Sequence, residues 1–146
     1  MKVRDGSLDD LETLTDFSIA MGIESEGLHP ERDGVRRGIE AALRDPAKAR
    51  YFVAEADGVV GSLFVTHEWS DWTNGWYWWI QGVYVRPDRR GEGVYSRLYA
   101  AVHAAAREAG ARRIRLYVDA DNAQGIRAYE AHGMQRTHYL VYDAPV

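Results

Sequence analysis

The spacing of apolar residues changes several times along the chain, and each change marks an element. Lys2-Val3-Arg4 reads as a short strand, and Ser7-Leu8-Asp9-Asp10 offers a capping-box start to a helix with Leu8, Leu11, Leu14 and Met21 on its apolar side. A polar, acidic connection from Gly22 to Pro30 leads to a second helix over about Glu31 to Arg44, ended by Pro46. Two β-rich runs, Tyr51 to Ala56 and Val59 to His67, meet across Asp57-Gly58, a favoured hairpin pair. A third strand, about Gly75 to Val85, follows the loop Glu68 to Asn74. Val94, Leu98, Ala101, Val102 and Ala105 then repeat at helical spacing as far as Ala109, where Gly110 stops the helix. The run Arg113 to Val118 alternates as a half-exposed strand should. A short helix from Asn122 to about His132 and a last strand, about Met134 to Tyr142, complete the order β-α-α-β-β-β-α-β-α-β. That order predicts one α/β (α+β) domain over residues 1–146, a mixed sheet with helices on both faces.

Composition narrows the function classes. A chain of 146 residues can bury about two-thirds of its unfolded surface without disulfides, and this one has no cysteine. The net charge of −4 argues against nucleic-acid binding, which needs a basic face. Met1 to Gly6 lacks the apolar core of a signal peptide, and no run approaches the ~18 apolar residues of a membrane span, so a cytoplasmic protein without membrane contact is expected. His67-Glu68 begins like a zinc-protease helix but Asp71 stands where the second histidine belongs, and the five histidines show no ligand spacing; no metal is expected. There is no Gly-x-Ser-x-Gly nucleophile elbow either.

The most informative stretch runs from Val83 through Arg86-Pro87-Asp88-Arg89-Arg90-Gly91-Glu92-Gly93 into the helix that begins near Val94. A helix N-terminus leaves amides without partners and carries partial positive charge, so a glycine-rich entry is a ready anion site. Arg86, Arg89 and Arg90 beside it suit a phosphate clamp. A dinucleotide-binding loop would need a glycine where the chain has Ser96. In its place in the element order, the loop resembles the acyl-CoA pyrophosphate loop of the GNAT N-acetyltransferase superfamily, Gln/Arg-x-x-Gly-x-Gly/Ala, with Arg90 and Gly93 in the first two fixed places and Tyr95 in the third. A second segment, Asn122 to Met134, is similar to the family's Asn-x-x-Ala/Gly-x-x-x-Tyr-x-x-x-Gly-Phe, with Met134 for Phe, and the predicted element order is that of the GNAT fold.

The resemblance implies acetyl-CoA as acyl donor and assigns roles. Its pyrophosphate would meet the backbone of Arg90, Gly91, Glu92, Gly93, Val94 and Tyr95, its pantetheine arm Asn122 and the strand Val83-Tyr84-Val85, and Tyr129 would protonate the departing thiolate. Gly82 would ease the splaying of that strand. The run Trp69 to Val85 resembles the spermidine/spermine and thialysine acetyltransferase branch, in which a glutamate commonly stands where this chain has Gln81. An amide cannot be a general base, so Gln81 is expected to orient a water or the amine, with Glu68 and Asp71 as the nearest carboxylates to act as base and Glu24 and Glu26 as further candidates.

All five tryptophans lie between His67 and Trp79. Interleaved with Glu68 and Asp71, and joined by Glu24 and Glu26, the segment would suit a cationic amine held among Trp69, Trp79 and carboxylates. The expected function is therefore acetyl transfer from acetyl-CoA to a small cationic amine. The alternatives are a protein N-terminal or lysine acetyltransferase and a non-catalytic acyl-CoA sensor. Aromatic packing of this density also suits a subunit interface, and a homodimer is expected.

Overall fold

The computed structural model describes residues 1–146. Its strands are β1 (Lys2–Asp5), β2 (Arg50–Ala56), β3 (Gly58–Ser70), β4 (Gly75–Val85) and β5 (Arg113–Leu116), and its helices α1 (Leu11–Glu26), α2 (Arg32–Arg44), α3 (Val94–Glu108) and α4 (Ala123–Ala131). The strands form one sheet in the order β1-β2-β3-β4-β5, antiparallel up to β4 and parallel between β4 and β5. The parallel step needs a crossover, and α3 supplies it.

Each face of the sheet is covered by a different part of the chain. On one face the i, i+4 stripe Val94, Leu98, Val102 and Ala106 of α3 packs on Phe52, Ala54, Leu63, Val65, Trp78 and Ile80. On the other, Leu11 and Leu14 of α1 and Ile39 of α2 close over Val53. Alternation along each strand feeds both cores, as a sheet buried on both sides requires.

Two expectations are corrected. The acidic connection begins later than its polarity suggests: α1 runs to Glu26 and is ended by Gly27 at φ 62°, whose N–H donates to Ile23 O while that of Leu28 donates to Gly22 O. Glutamates are good helix formers, and the glycine sets the stop. Glu24 and Glu26 therefore stand on a helical turn. The last strand does not form within the chain: residues 133–146 join no ladder, and the sheet ends at β5. Alternation makes 134–142 competent for a strand, but a strand exists only where an edge pairs with it.

Candidate active site

The sheet opens where β4 and β5 part. They pair only from Tyr77↔Arg113 to Ile80↔Leu116, while β4 continues to Val85. Across from β3 the register shifts between Ser62 and Phe64, which gives β4 one extra residue, and Gly82 sits in this bulge at φ 57°. The Arg86 N–H donates to Val60 O, so by strand alternation the backbone groups of Tyr84 also face β3, and those of Val83 and Val85 face the gap. This corrects the expectation for Tyr84, whose backbone is turned away from the gap. Its ring packs on Phe17 at 4.8 Å. The Val85 carbonyl accepts from Arg90 Nε at 3.0 Å, leaving the Val83 groups and the Val85 N–H open.

Beyond β4, a 3₁₀ turn at Pro87–Arg89 leads into Gly91 at φ 84° and Gly93 at φ 76°, and α3 starts at Val94. The first helical bond runs from Arg97 N–H to Gly93 O, and none of the amides of Gly91, Glu92, Gly93, Val94, Tyr95 or Ser96 donates to a backbone acceptor. Such a run of free donors at the positive end of a helix fits a diphosphate. The arginines expected as a clamp are instead paired with carboxylates: Arg86 with Asp88 at 2.6 Å, Arg89 with Glu92 at 2.8 Å and Arg90 with Glu24 at 2.7 Å. These are half-exposed pairs worth about 1 kcal/mol or less, so a phosphate could exchange into them; the amides are the fixed part of the site.

Tyr95 does not crowd the loop. Its ring turns under α3, against Tyr129 of α4 at 5.5 Å and His132 at 5.2 Å. His132 bridges the two helices, Nδ1 to Ala128 O at 2.7 Å and Nε2 to Ser96 Oγ at 3.0 Å. Burial raises the pKa of the Tyr129 phenol, and raises that of Tyr95 as well. Asn122 is the N-cap of α4, its Oδ1 accepting from Gly125 N–H at 2.9 Å, with Nδ2 left to donate elsewhere.

A second group of side chains lies on the sheet face covered by α1. Gln81 Nε2 donates to Thr66 Oγ1 at 3.0 Å, and Trp79 Nε1 donates to Glu68 Oε1 at 2.8 Å. Tyr117 lies against Trp79 at 4.7 Å, and the Arg115 guanidinium covers the Tyr77 ring at 4.6 Å and stands 3.9 Å from Glu68. The tryptophan-rich segment splits across the sheet: Trp69 pairs with Trp76 on the face of Trp78 and Ile80, the α3 side, so Trp69 cannot share a pocket with Trp79. Asp71 is in the β3–β4 turn, whereas Glu24 is tied to Arg90 at the opposite end of β4, roughly 30 Å away at about 3.3 Å per residue. Glu26, on the last turn of α1, lies at the Glu24 end. The four carboxylates therefore do not meet around one cation; Glu68 alone stands beside Trp79.

Sequence reasoning missed Thr66, Arg115 and Tyr117. Alternation along 113–117 puts Arg113, Arg115 and Tyr117 on one side, but only the β4–β5 register shows that this is the side of Trp79 and Glu68.

Comparison with known proteins agrees with this arrangement. Residues 12–134 match the acetyltransferase (GNAT) family model. An aminoglycoside N(6')-acetyltransferase type 1 from Stenotrophomonas maltophilia is 30% identical over 120 residues, 80% of this chain and 78% of that protein. The crystal structure of a possible acetyltransferase from Clostridium difficile 630 superposes with a TM-score of 0.93 at 33% identity, covering 99% of this chain and 97% of its own. A predicted acetyltransferase from Clostridium acetobutylicum, solved with acetyl-CoA, shares the fold at a TM-score of 0.80 and 20% identity, over 97% of this chain and 95% of that one. A splayed strand, a free-amide helix start and a family match over most of the chain lead to one conclusion: the chain belongs to the GNAT acetyltransferase family and is an acyl-CoA-dependent N-acetyltransferase.

Proposed function

We propose that this chain, as one domain over residues 1–146 and as a cytoplasmic homodimer, transfers acetyl from acetyl-CoA directly to the amine of a small cationic acceptor of the polyamine or amino-acid-derivative kind. The observation that carries the acceptor class is Glu68. Its carboxylate is fixed by the Trp79 indole on the same face as Gln81, with Tyr117 stacked beside it. The aminoglycoside-acetylating relative, named for an amine-bearing small molecule, supports the same class.

Acetyl-CoA supplies the activated thioester. On this reading the amides of Gly91 to Ser96 hold its diphosphate, and the open backbone groups of Val83 and Val85 and the Asn122 amide direct its arm into the gap. Tyr129 keeps a proton for the leaving sulfur because burial disfavours its phenolate. Gln81, fixed by Thr66, orients the incoming amine or a water, and Glu68 accepts the ammonium proton through water. Arg115 already covers the Tyr77 ring and balances Glu68, so the acceptor cation meets the carboxylate and Tyr117 on their exposed side.

A screen of amines with acetyl-CoA, followed by thiol release, tests the reading. The best acceptors are expected to be cations with a primary amine, and Glu68→Gln should both raise the acceptor KM roughly tenfold, equivalent to about 1.4 kcal/mol, and lower kcat, without changing the KM for acetyl-CoA. A neutral or acidic acceptor that outperforms every cation, with Glu68→Gln unchanged in acceptor KM and in kcat, overturns the acceptor assignment. Absence of turnover with every amine favours a sensor.

A further inference from the structure

One buried side-chain polar atom in the molecule has no hydrogen-bond partner, and it is the Tyr95 hydroxyl. A buried hydroxyl gives up its water on folding, so leaving it unbonded costs free energy that a phenylalanine of the same shape would avoid. Buried polar groups are otherwise almost always paired, so a single exception calls for a physical reason. Tyr95 also stands in the third fixed place of the glycine-rich loop, where the pattern has glycine or alanine. The pattern itself therefore gives no reason for a phenol there.

No neighbour within the chain satisfies the hydroxyl. Its ring meets three others: Tyr129 of α4 at 5.5 Å, His132 at 5.2 Å, and Tyr99, one turn further along α3, at 6.1 Å. His132 has no nitrogen to spare, since Nδ1 is engaged with Ala128 O and Nε2 with Ser96 Oγ. Neither Tyr99 nor Tyr129 bonds to it. Burial raises the Tyr95 pKa, so the hydroxyl keeps its proton and remains a donor without an acceptor.

Its place in the fold limits which acceptor can reach it. Tyr95 is the second residue of α3, and its amide is one of the free donors at the start of that helix. From there the side chain runs to the ring of Tyr129. On the proposed reading the diphosphate of acetyl-CoA lies at the first of these points and its sulfur at the second, so Tyr95 stretches along the arm that joins them. That arm is a chain interrupted by amides. An amide carbonyl drawn out of water needs a donor as much as a buried phenol needs an acceptor.

We propose that the Tyr95 side chain is part of the acyl-CoA site: its hydroxyl donates to an amide carbonyl of the arm and holds the arm beside Tyr129. The backbone of the loop binds the diphosphate, and the phenol adds a contact further along the same ligand. In the free protein the hydroxyl is a small liability to the fold, and the bound arm relieves it. Stability and affinity therefore respond to its removal with opposite signs, which a packing role does not produce. The inference rests on the acetyl-CoA site of the proposed function, and neither on its acceptor nor on proton transfer by Tyr129.

Tyr95→Phe is the informative variant, because the ring stays and only the hydroxyl goes. Without ligand it should melt about 2–4 °C above the wild type. Calorimetry should show acetyl-CoA and CoA bound roughly tenfold more weakly. ADP, which has the diphosphate but no arm, should bind both proteins equally. Tyr99→Phe removes a neighbouring hydroxyl that is not fully buried and should change none of these values. The proposal is overturned by a Tyr95→Phe protein no more stable than wild type, which would mean that the hydroxyl already has a partner, by equal affinity of both proteins for acetyl-CoA, or by an ADP affinity that falls as far as that for acetyl-CoA. A wild type that binds neither acetyl-CoA nor CoA overturns the site itself and this inference with it, whereas wild-type binding that Tyr95→Phe leaves unchanged overturns the inference alone.

Discussion

At the scale of single residues, the packing of Tyr129 bears most directly on the proposed chemistry. Burial disfavours the phenolate, so the pKa lies above the ordinary value of about 10 and the hydroxyl keeps its proton at neutral pH and beyond. That suits a donor to a thiolate. Tyr129→Phe removes only the hydroxyl, and the ring contact with Tyr95 remains. We expect the catalytic rate to fall about 10- to 1,000-fold with acetyl-CoA affinity unchanged by calorimetry. In the wild type, the fall in rate caused by deprotonation of Tyr129 should lie at higher pH than it would for a solvated phenol. A Phe variant as fast as wild type, with chemistry rate-limiting, would return Tyr129 to a packing role.

At the scale of elements, the gap between β4 and β5 depends on a bulge that only glycine fits. Gly82 has φ 57°, and a Cβ placed on it would lie 2.7 Å from the Phe64 ring. Gly82→Ala therefore combines a left-handed backbone, which costs roughly 1 kcal/mol, with a clash that Phe64 must relieve by moving. The melting temperature should drop and acetyl-CoA binding weaken together, because the same bulge aims Val83 and Val85 into the gap. Adding Phe64→Leu should recover part of both. Stability lost with cofactor affinity intact would show that the bulge serves the fold alone. Gly93 makes a different demand: at φ 76°, with no atom within 4 Å of the place a Cβ would take, its requirement is conformational, since the amides must turn outward before α3 begins.

At the scale of the molecule, the sheet edge and the start of α1 are held together through one arginine. Arg4 of β1 reaches Asp10 at 2.8 Å and Glu55 of β2 at 3.1 Å, and the Asp10 carboxylate also accepts from Ser7 N–H at 2.8 Å. Burial alone would push the Asp10 pKa up, but the donors of Arg4 and Ser7 outweigh it and hold it below the usual carboxylate value. A depressed folded-state pKa gives stability that is present above the unfolded value near 3.9 and is lost as pH falls through the lower, folded one. Asp10→Asn should cost on the order of 2 kcal/mol at pH 7 and progressively less below about pH 4, as read by denaturant unfolding. A cost independent of pH would assign the loss to packing.

The sequence by itself determined the elements and the glycine-rich start of α3. Periodicity located every helix and the first five strands, because each buries a stripe that its own spacing creates, and the glycines at 91 and 93 marked the free-amide start of α3 by local backbone demand. Where the demand was local, the reading needed no partner. Tertiary structure decided what depends on pairing. The register of β3 with β4 put Trp69 and Trp79 on opposite faces, and the length of β4 separated Glu24 from Asp71. The register of β4 with β5 brought Arg115 to Glu68. The segment 134–142 has strand spacing but no ladder, because alternation specifies a strand's two faces and leaves open which edge supplies its hydrogen bonds.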